Sequence, residues 1–125
     1  MRLLFDTNVL LWTLTGSDRI EKVRDLILSD DTEVFVSIAS CWEIAIKHAL
    51  GKLPQNVAQT RAAVQASGFV ELPVLGVHTE ALGKLPPLHR DPFDRLLIAQ
   101  AITEPMCLIT GDDMLAQYSE LVMTV

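Results

Sequence analysis

The chain reads as an α/β fold, a parallel sheet of about five strands covered by helices on both faces. Two observations predict it. Short apolar runs at Arg2–Phe5, Glu33–Val36, Phe69–Leu72, Met106–Ile109 and Leu121–Val125 alternate with stretches of helical pattern. Those runs are apolar throughout instead of alternating, as strands buried on both faces must be. The scale comes from the length. A chain of 125 residues, half of them hydrophobic, suffices for one compact domain over residues 1–125.

The elements follow in order. Arg2–Phe5 is a buried strand that ends at Asp6, and Asn8–Leu14 is a short helix. Ser17 caps a helix over Asp18–Leu28, with Asp18 and Glu21 at its positive end. After the strand Glu33–Val36, Ser37 caps a long helix that ends near Leu50, with Gly51 as its C′ residue. Pro54 opens a further helix that runs to about Ser67. Phe69–Leu72 is the third strand, and Thr79–Leu82 is a helical piece stopped by Pro86-Pro87. Asp91-Pro92 is the best helix start in the chain. Asp91 is the N-cap, Pro92 the first helical residue, and Asp94 the acid of a capping box on a helix reaching Ile102. Met106–Ile109 is a strand stopped by Thr110-Gly111-Asp112, then come a helical turn over Met114–Gln117 and the strand Leu121–Val125.

Composition narrows the function. The net charge is −6, and residues 63–125 carry three basic residues against eight acidic ones. That excludes sequence-blind nucleic-acid binding by a basic surface. If the protein handles a polyanion, a divalent metal is the local source of positive charge. No apolar run approaches the ~20 residues of a membrane span. Cys41 and Cys107 sit in apolar patterns and read as reduced thiols of a cytoplasmic protein.

The acids are the informative residues. Asp6 follows strand one and Asp112 follows strand four, so in a parallel sheet both lie at the carboxyl edge. A strand order 3-2-1-4-5 makes them neighbours at the point where the order reverses. Asp94 begins at the same edge, and Glu43 lies under two turns into the helix that Ser37 caps. Four carboxylates in one crevice repel without metal. With Mg2+ or Mn2+ they fit, because hard cations take oxygen ligands and bind partly through phosphate. Each acid also has a plain alternative: Asp6 as a helix cap, Glu43 paired with Lys47 at i+4, Asp94 as a capping residue, and Asp112 in a turn. For Asp91, capping is a full explanation. The supporting polar groups are Thr7 and Asn8 after Asp6, Ser37, Lys47, Thr110, and Arg90 and Arg95 flanking Asp94. His48, His78 and His89 show no metal spacing, read as structural or solvated, and disfavour zinc.

At this point a resemblance enters. The segments LLFDTNVLLW (3–12), VSIASCWEIAIKHALGKL (36–53), HRDPFDRLLIAQA (89–101) and LITGDD (108–113) resemble PIN-domain ribonucleases, specifically VapC-type toxins. The resemblance implies a three-layer α/β/α domain with sheet order 3-2-1-4-5. It implies that Asp6, Glu43, Asp94 and Asp112 hold one or two Mg2+ ions, with Mn2+ able to substitute. The implied activity is endonucleolytic hydrolysis of RNA by metal-activated water, which arrests translation. The implied partners are a VapB-type antitoxin, operator DNA reached only through that antitoxin, and a second copy of the chain, met through the Ala49–Val64 region. Two other readings stay open. A phosphatase-type hydrolase wants Asp-x-Asp after strand one, where this chain has Asn8 in the third position. A non-enzymatic interaction module would bind no divalent ion.

Overall fold

Strand β1 (Arg2–Phe5) lies at the centre of the sheet, and its last three residues are fully packed. In the computed structural model, which describes residues 1–125, Leu3, Leu4 and Phe5 are wholly shielded from solvent. Burying each such side chain is worth about 1.5–3 kcal/mol. The pleat sends Leu3 and Phe5 into one core and Leu4 into another, on opposite faces of the sheet.

Five parallel strands make the sheet, in the order β3-β2-β1-β4-β5, with β2 at Glu33–Ser37, β3 at Val70–Leu72, β4 at Cys107–Thr110 and β5 at Val122–Thr124. This is the order expected from the sequence. The first core collects Val9, Leu10 and Leu11 of α1 (Thr7–Leu14), Ile44 of α3 (Ile38–Ala49) and Val64 of α4 (Val57–Ala66). The second collects Leu97, Ile98 and Ala101 of α6 (Pro92–Thr103), with Leu115 from the 3₁₀ turn Asp113–Gln117. Helix α5 (Gly76–Gly83) packs on α6. The result is three layers, α/β/α.

Buried His78 fixes α5 in place. Its Nδ1 accepts the Leu75 N–H at 2.9 Å, and its Nε2 meets Glu104 Oε2 at 2.6 Å. A structural histidine is what the sequence reading expects here. Cys41 and Cys107 are free thiols, and burial pushes both up from the ordinary thiol value.

Three elements differ from expectation. The helix expected over Asp18–Leu28 is a 3₁₀ segment at Asp18–Val23 followed by the short α2 (Arg24–Leu28). A 3₁₀ winding superposes positions i and i+3. It lines Ile20 up with Val23 against the core and joins Arg24 to Glu21 at 3.3 Å. Ser17 caps it as expected, accepting the Arg19 N–H. Helix α4 starts at Val57, not at Pro54, because the Asn56 side chain accepts the Gln59 N–H at 2.8 Å and satisfies an orphan donor there. Helix α5 is longer than the piece read at Thr79–Leu82, since His78 supplies its start from the tertiary structure.

Helix α3 buries Cys41 and Ile44 and turns an apolar row outward. Ile38, Trp42, Ile46 and Leu50, spaced four apart, are 37–64% exposed. On α4 the outer positions are Ala58, Gln59, Arg61, Ala62 and Gln65 instead. Arg61 is engaged by Glu71 at 2.7 and 2.8 Å, which holds the Glu71 carboxyl below the ordinary value.

Helix α6 starts where the sequence says. Asp91 Oδ1 accepts the N–H groups of Phe93 at 2.8 Å and Asp94 at 3.0 Å, and Pro92 takes the first helical position. Asp91→Ala therefore costs about 1 kcal/mol of stability in urea denaturation, and Asp91→Ser restores most of it. An unchanged midpoint for the alanine variant would remove capping as the role of Asp91.

Candidate metal centre

The register of the sheet brings the acids to one lip. Phe5 pairs with both Val36 and Ile109, so residues 6, 37 and 110 emerge side by side at the carboxyl edge. Asp6 is buried there and caps α1, its Oδ1 accepting the Val9 N–H at 2.8 Å. Its Oδ2 accepts the Thr110 hydroxyl at 2.5 Å. Thr110 Oγ1 in turn accepts the Asp112 N–H at 3.1 Å. One hydroxyl thus couples the acid after β1 to the turn after β4. Burial pushes the Asp6 carboxyl up, Thr110 and the N–H groups of Val9 and Gly111 oppose this, and the charge of Glu43 adds to the rise.

Glu43 is buried on the inner side of α3. Its Oε1 accepts the Thr7 hydroxyl at 2.6 Å, and its Oε2 pairs with Lys47 Nζ at 2.8 Å. Ser40 Oγ lies 3.0 Å from the same Thr7 oxygen. The bond to Glu43 raises the Lys47 ammonium above its ordinary value, and the charges of Asp91 and Asp94 act in the same sense.

Asp94 does not complete a reciprocal capping box. Its Oδ2 meets His89 Nε2 at 3.0 Å, and the same nitrogen stands 3.6 Å from Asp112 Oδ2. One donor atom from each of His89, Asp94 and Asp112 lies within 4.8 Å of the others, so the three could hold a metal ion. The other oxygen of Asp112 accepts the Met114 N–H at 2.9 Å and caps the 3₁₀ turn. Burial raises the Asp94 carboxyl to about 6; His89 opposes that rise, and the charges of Asp91 and Asp6 add to it. The donor set suits a divalent cation, with two carboxylate oxygens and one imidazole nitrogen facing one another.

The sequence-predicted residues thus divide. Asp94 and Asp112 are in the close cluster. Asp6 and Glu43 stand beside it, held by hydroxyls and by Lys47, and Asp6 reaches Asp94 through its charge. Thr7 reaches Glu43 instead of Asp6. Asn8 is exposed. Ser37 is buried and caps α3 by accepting the Ala39 N–H at 3.0 Å. Arg95 braces the loop ahead of α6. Its Nη1 donates to the carbonyls of Pro86 at 3.1 Å and His89 at 3.4 Å and contacts the Tyr118 hydroxyl at 3.2 Å. Arg90 is exposed.

The lip is an open surface flanked by aromatic rings. Trp42, beside Glu43, meets Phe93, beside Asp94, edge to face at 5.0 Å between ring centres. Trp12 packs on Gly111, where a Cβ would come within 2.6 Å of the indole, and Arg19 covers the ring at 4.0 Å. Any side chain at position 111 would push that ring away from the turn that carries Asp112.

A PIN domain family model matches residues 3–121. The chain belongs to the PIN domain family. Solved structures agree in fold. VapBC2 from Rickettsia felis, bound to a DNA fragment from its promoter, is similar at a TM-score of 0.72 and 16% identity, covering 100% of this PIN chain and 98% of that one. A toxin–antitoxin complex from Klebsiella pneumoniae gives 0.69 and 18%, over 98% and 96% of the two chains. DNA-bound VapBC from Salmonella typhimurium gives 0.70 and 14%, over 100% and 97%. No curated protein matches the sequence.

Sequence reasoning missed one site residue of this PIN domain, His89. A signal was present. His89 lies five residues before Asp94, in a loop closed by Pro86-Pro87 and by Asp91-Pro92. Such a loop folds back over the first turn of the helix it precedes. Its second acid, Asp112, comes from another element, so local spacing could not show it.

The acid environment sets a pH dependence for the metal-free protein. A carboxyl raised in the folded state contributes stability that is complete below the ordinary value of 3.8 and is lost as pH rises through about 6. Asp94→Asn keeps a neutral side chain at all pH values. The melting-temperature gain of Asp94→Asn over wild type is therefore expected to grow from pH 4 to pH 7.5. A constant difference across that range would refute the raised Asp94 carboxyl.

Proposed function

We propose that this PIN domain is a metal-dependent endoribonuclease of the VapC toxin type, neutralised by an antitoxin partner. The observation that carries the proposal is the His89–Asp94–Asp112 cluster, within 4.8 Å and beside buried Asp6 and Glu43, at the carboxyl edge of the sheet. Fold likeness to proteins described as toxin–antitoxin complexes supports the partner class.

The residues suggest a division of labour. Asp6, Asp94 and Asp112, with Glu43 behind them, would hold one or two Mg2+ or Mn2+ ions. A bound ion supplies neutralisation of the phosphodiester charge and an acidified water. Asp6 and Asp112 keep their position through backbone N–H caps and Thr110, so each retains an oxygen directed by the fold. Thr7 and Lys47 orient Glu43. An open lip suits a polymer substrate, and the Trp42–Phe93 pair offers base-sized faces beside it. The end of α3 away from the lip, with Ile46 and Leu50 exposed, is a better surface for a second copy than the polar outer face of α4.

Asp6→Asn tests the reading. The amide oxygen keeps the cap to Val9, so the fold persists while the charge is lost. Metal-dependent RNA cleavage by wild type is expected to leave 5′-phosphate ends and to fall about 100-fold or more in the variant. Cleavage that survives the substitution, or RNA left intact with either ion, would reject the nuclease reading. A covalent phosphoryl-enzyme adduct at Asp6 would instead support the phosphatase class. Saturating Mg2+ or Mn2+ is also expected to stabilise wild type by about 2.7 kcal/mol at a hundredfold excess over Kd, read as a rise in melting temperature. A melting curve indifferent to both ions would favour the interaction module.

A further inference from the structure

We propose that His89 is itself a ligand of the bound ion, through Nε2, and that this nitrogen makes the centre prefer Mn2+ over Mg2+. The inference rests on the reading of the lip as a metal centre and goes beyond the all-acid ligand set of Asp6, Glu43, Asp94 and Asp112. Cis ligands of an octahedral ion at about 2.1 Å lie about 3.0 Å apart. His89 Nε2 and Asp94 Oδ2 are already 3.0 Å apart, and Asp112 Oδ2 stands 3.6 Å from the same nitrogen. All three donor atoms lie within 4.8 Å of one another, so closing the two edges to Asp112 would complete one triangular face of an octahedron. The same nitrogen therefore faces two carboxylates at once, one at hydrogen-bond and one at ion-pair distance.

The loop is built to hold the ring there. Arg95 clamps the carbonyls of Pro86 and His89 from the first turn of α6, the turn that also presents Asp94. Its contact with the Tyr118 hydroxyl ties the same loop to the segment that follows Asp112. The imidazole can accept an ion without a net proton change, since the tautomer protonated at Nδ1 leaves the Nε2 lone pair free. Mg2+ is a hard ion that takes oxygen, whereas first-row divalent ions accept imidazole nitrogen.

Electron spin-echo spectroscopy of the Mn2+-loaded full chain tests this directly. Wild type is expected to show modulation from a coordinated ¹⁴N, which changes on ¹⁵N-histidine labelling and disappears in His89→Gln. Mn2+ binding by calorimetry is expected to weaken about tenfold or more in His89→Gln, with Mg2+ binding altered less than about threefold. Mn2+ bound by wild type, lost in Asp94→Asn and lacking any nitrogen coupling would overturn the His89 inference and leave the metal centre standing. Failure of wild type to bind Mn2+ at all would overturn both. The wild-type spectrum decides the matter even if a variant proves unstable.

Discussion

A carboxylate buried at the end of the central strand sets the terms for everything around it. Asp6 follows three fully shielded residues of β1, so packing fixes its position. Burying a charge is costly unless it is compensated. Here the immediate partners are a backbone N–H and a threonine hydroxyl, not a cation. The carboxyl is held in place with no cation paired to it. Asp94 is raised first by its own burial, and the charges of Asp91 and Asp6 add to the rise, so its carboxyl takes up a proton more readily. A site of this kind has two ways to relieve itself, a proton or a cation. On the proposed nuclease reading, a cation is the choice that would let a protein of net charge −6 meet a phosphate backbone.

Much of this was legible in the sequence, for definite reasons. The strands are short apolar runs, and β1 next to β4 follows once Asp6 and Asp112 are taken as neighbours. Helix starts were readable at Ser17, Ser37 and Asp91, where the capping side chain is the first strong signal met along the chain. They were misread where a residue nearby competed or a distant one intervened. Asn56 displaced Pro54 as the start of α4, and buried His78 extended α5 through contacts with α6. The winding change at Val23 depends on what the core requires of Ile20 and Val23, which no local pattern encodes.

The candidate site divides along the same line. The acids could be assigned to an edge because strand ends and helix starts fall at predictable places. The Glu43–Lys47 pair, the Asp6 cap and a Thr110 bond to a carboxylate were readable, but the bracing between elements was not. Thr7 serves Glu43, Thr110 bridges Asp6 to the Asp112 turn, and Arg95 spends its guanidinium on the backbone of its own loop. His89 was read as structural or solvated because only one of its acids is near in sequence and the other is brought by the sheet. Caps belong to segments, but brackets between elements belong to the fold.

The two tryptophans sit at different elements near the acids. Trp12 rests on the bare backbone of Gly111, and Trp42 sits next to Glu43 with its ring largely in solvent. Each indole is therefore an intrinsic fluorophore attached to a different helix. Emission from the first senses displacement of the Asp112 turn, and emission from the second senses whatever shields the rim from water. The molecule carries its own pair of optical gauges, one at the Asp112 turn and one on the exposed face of α3, with no dye or label required.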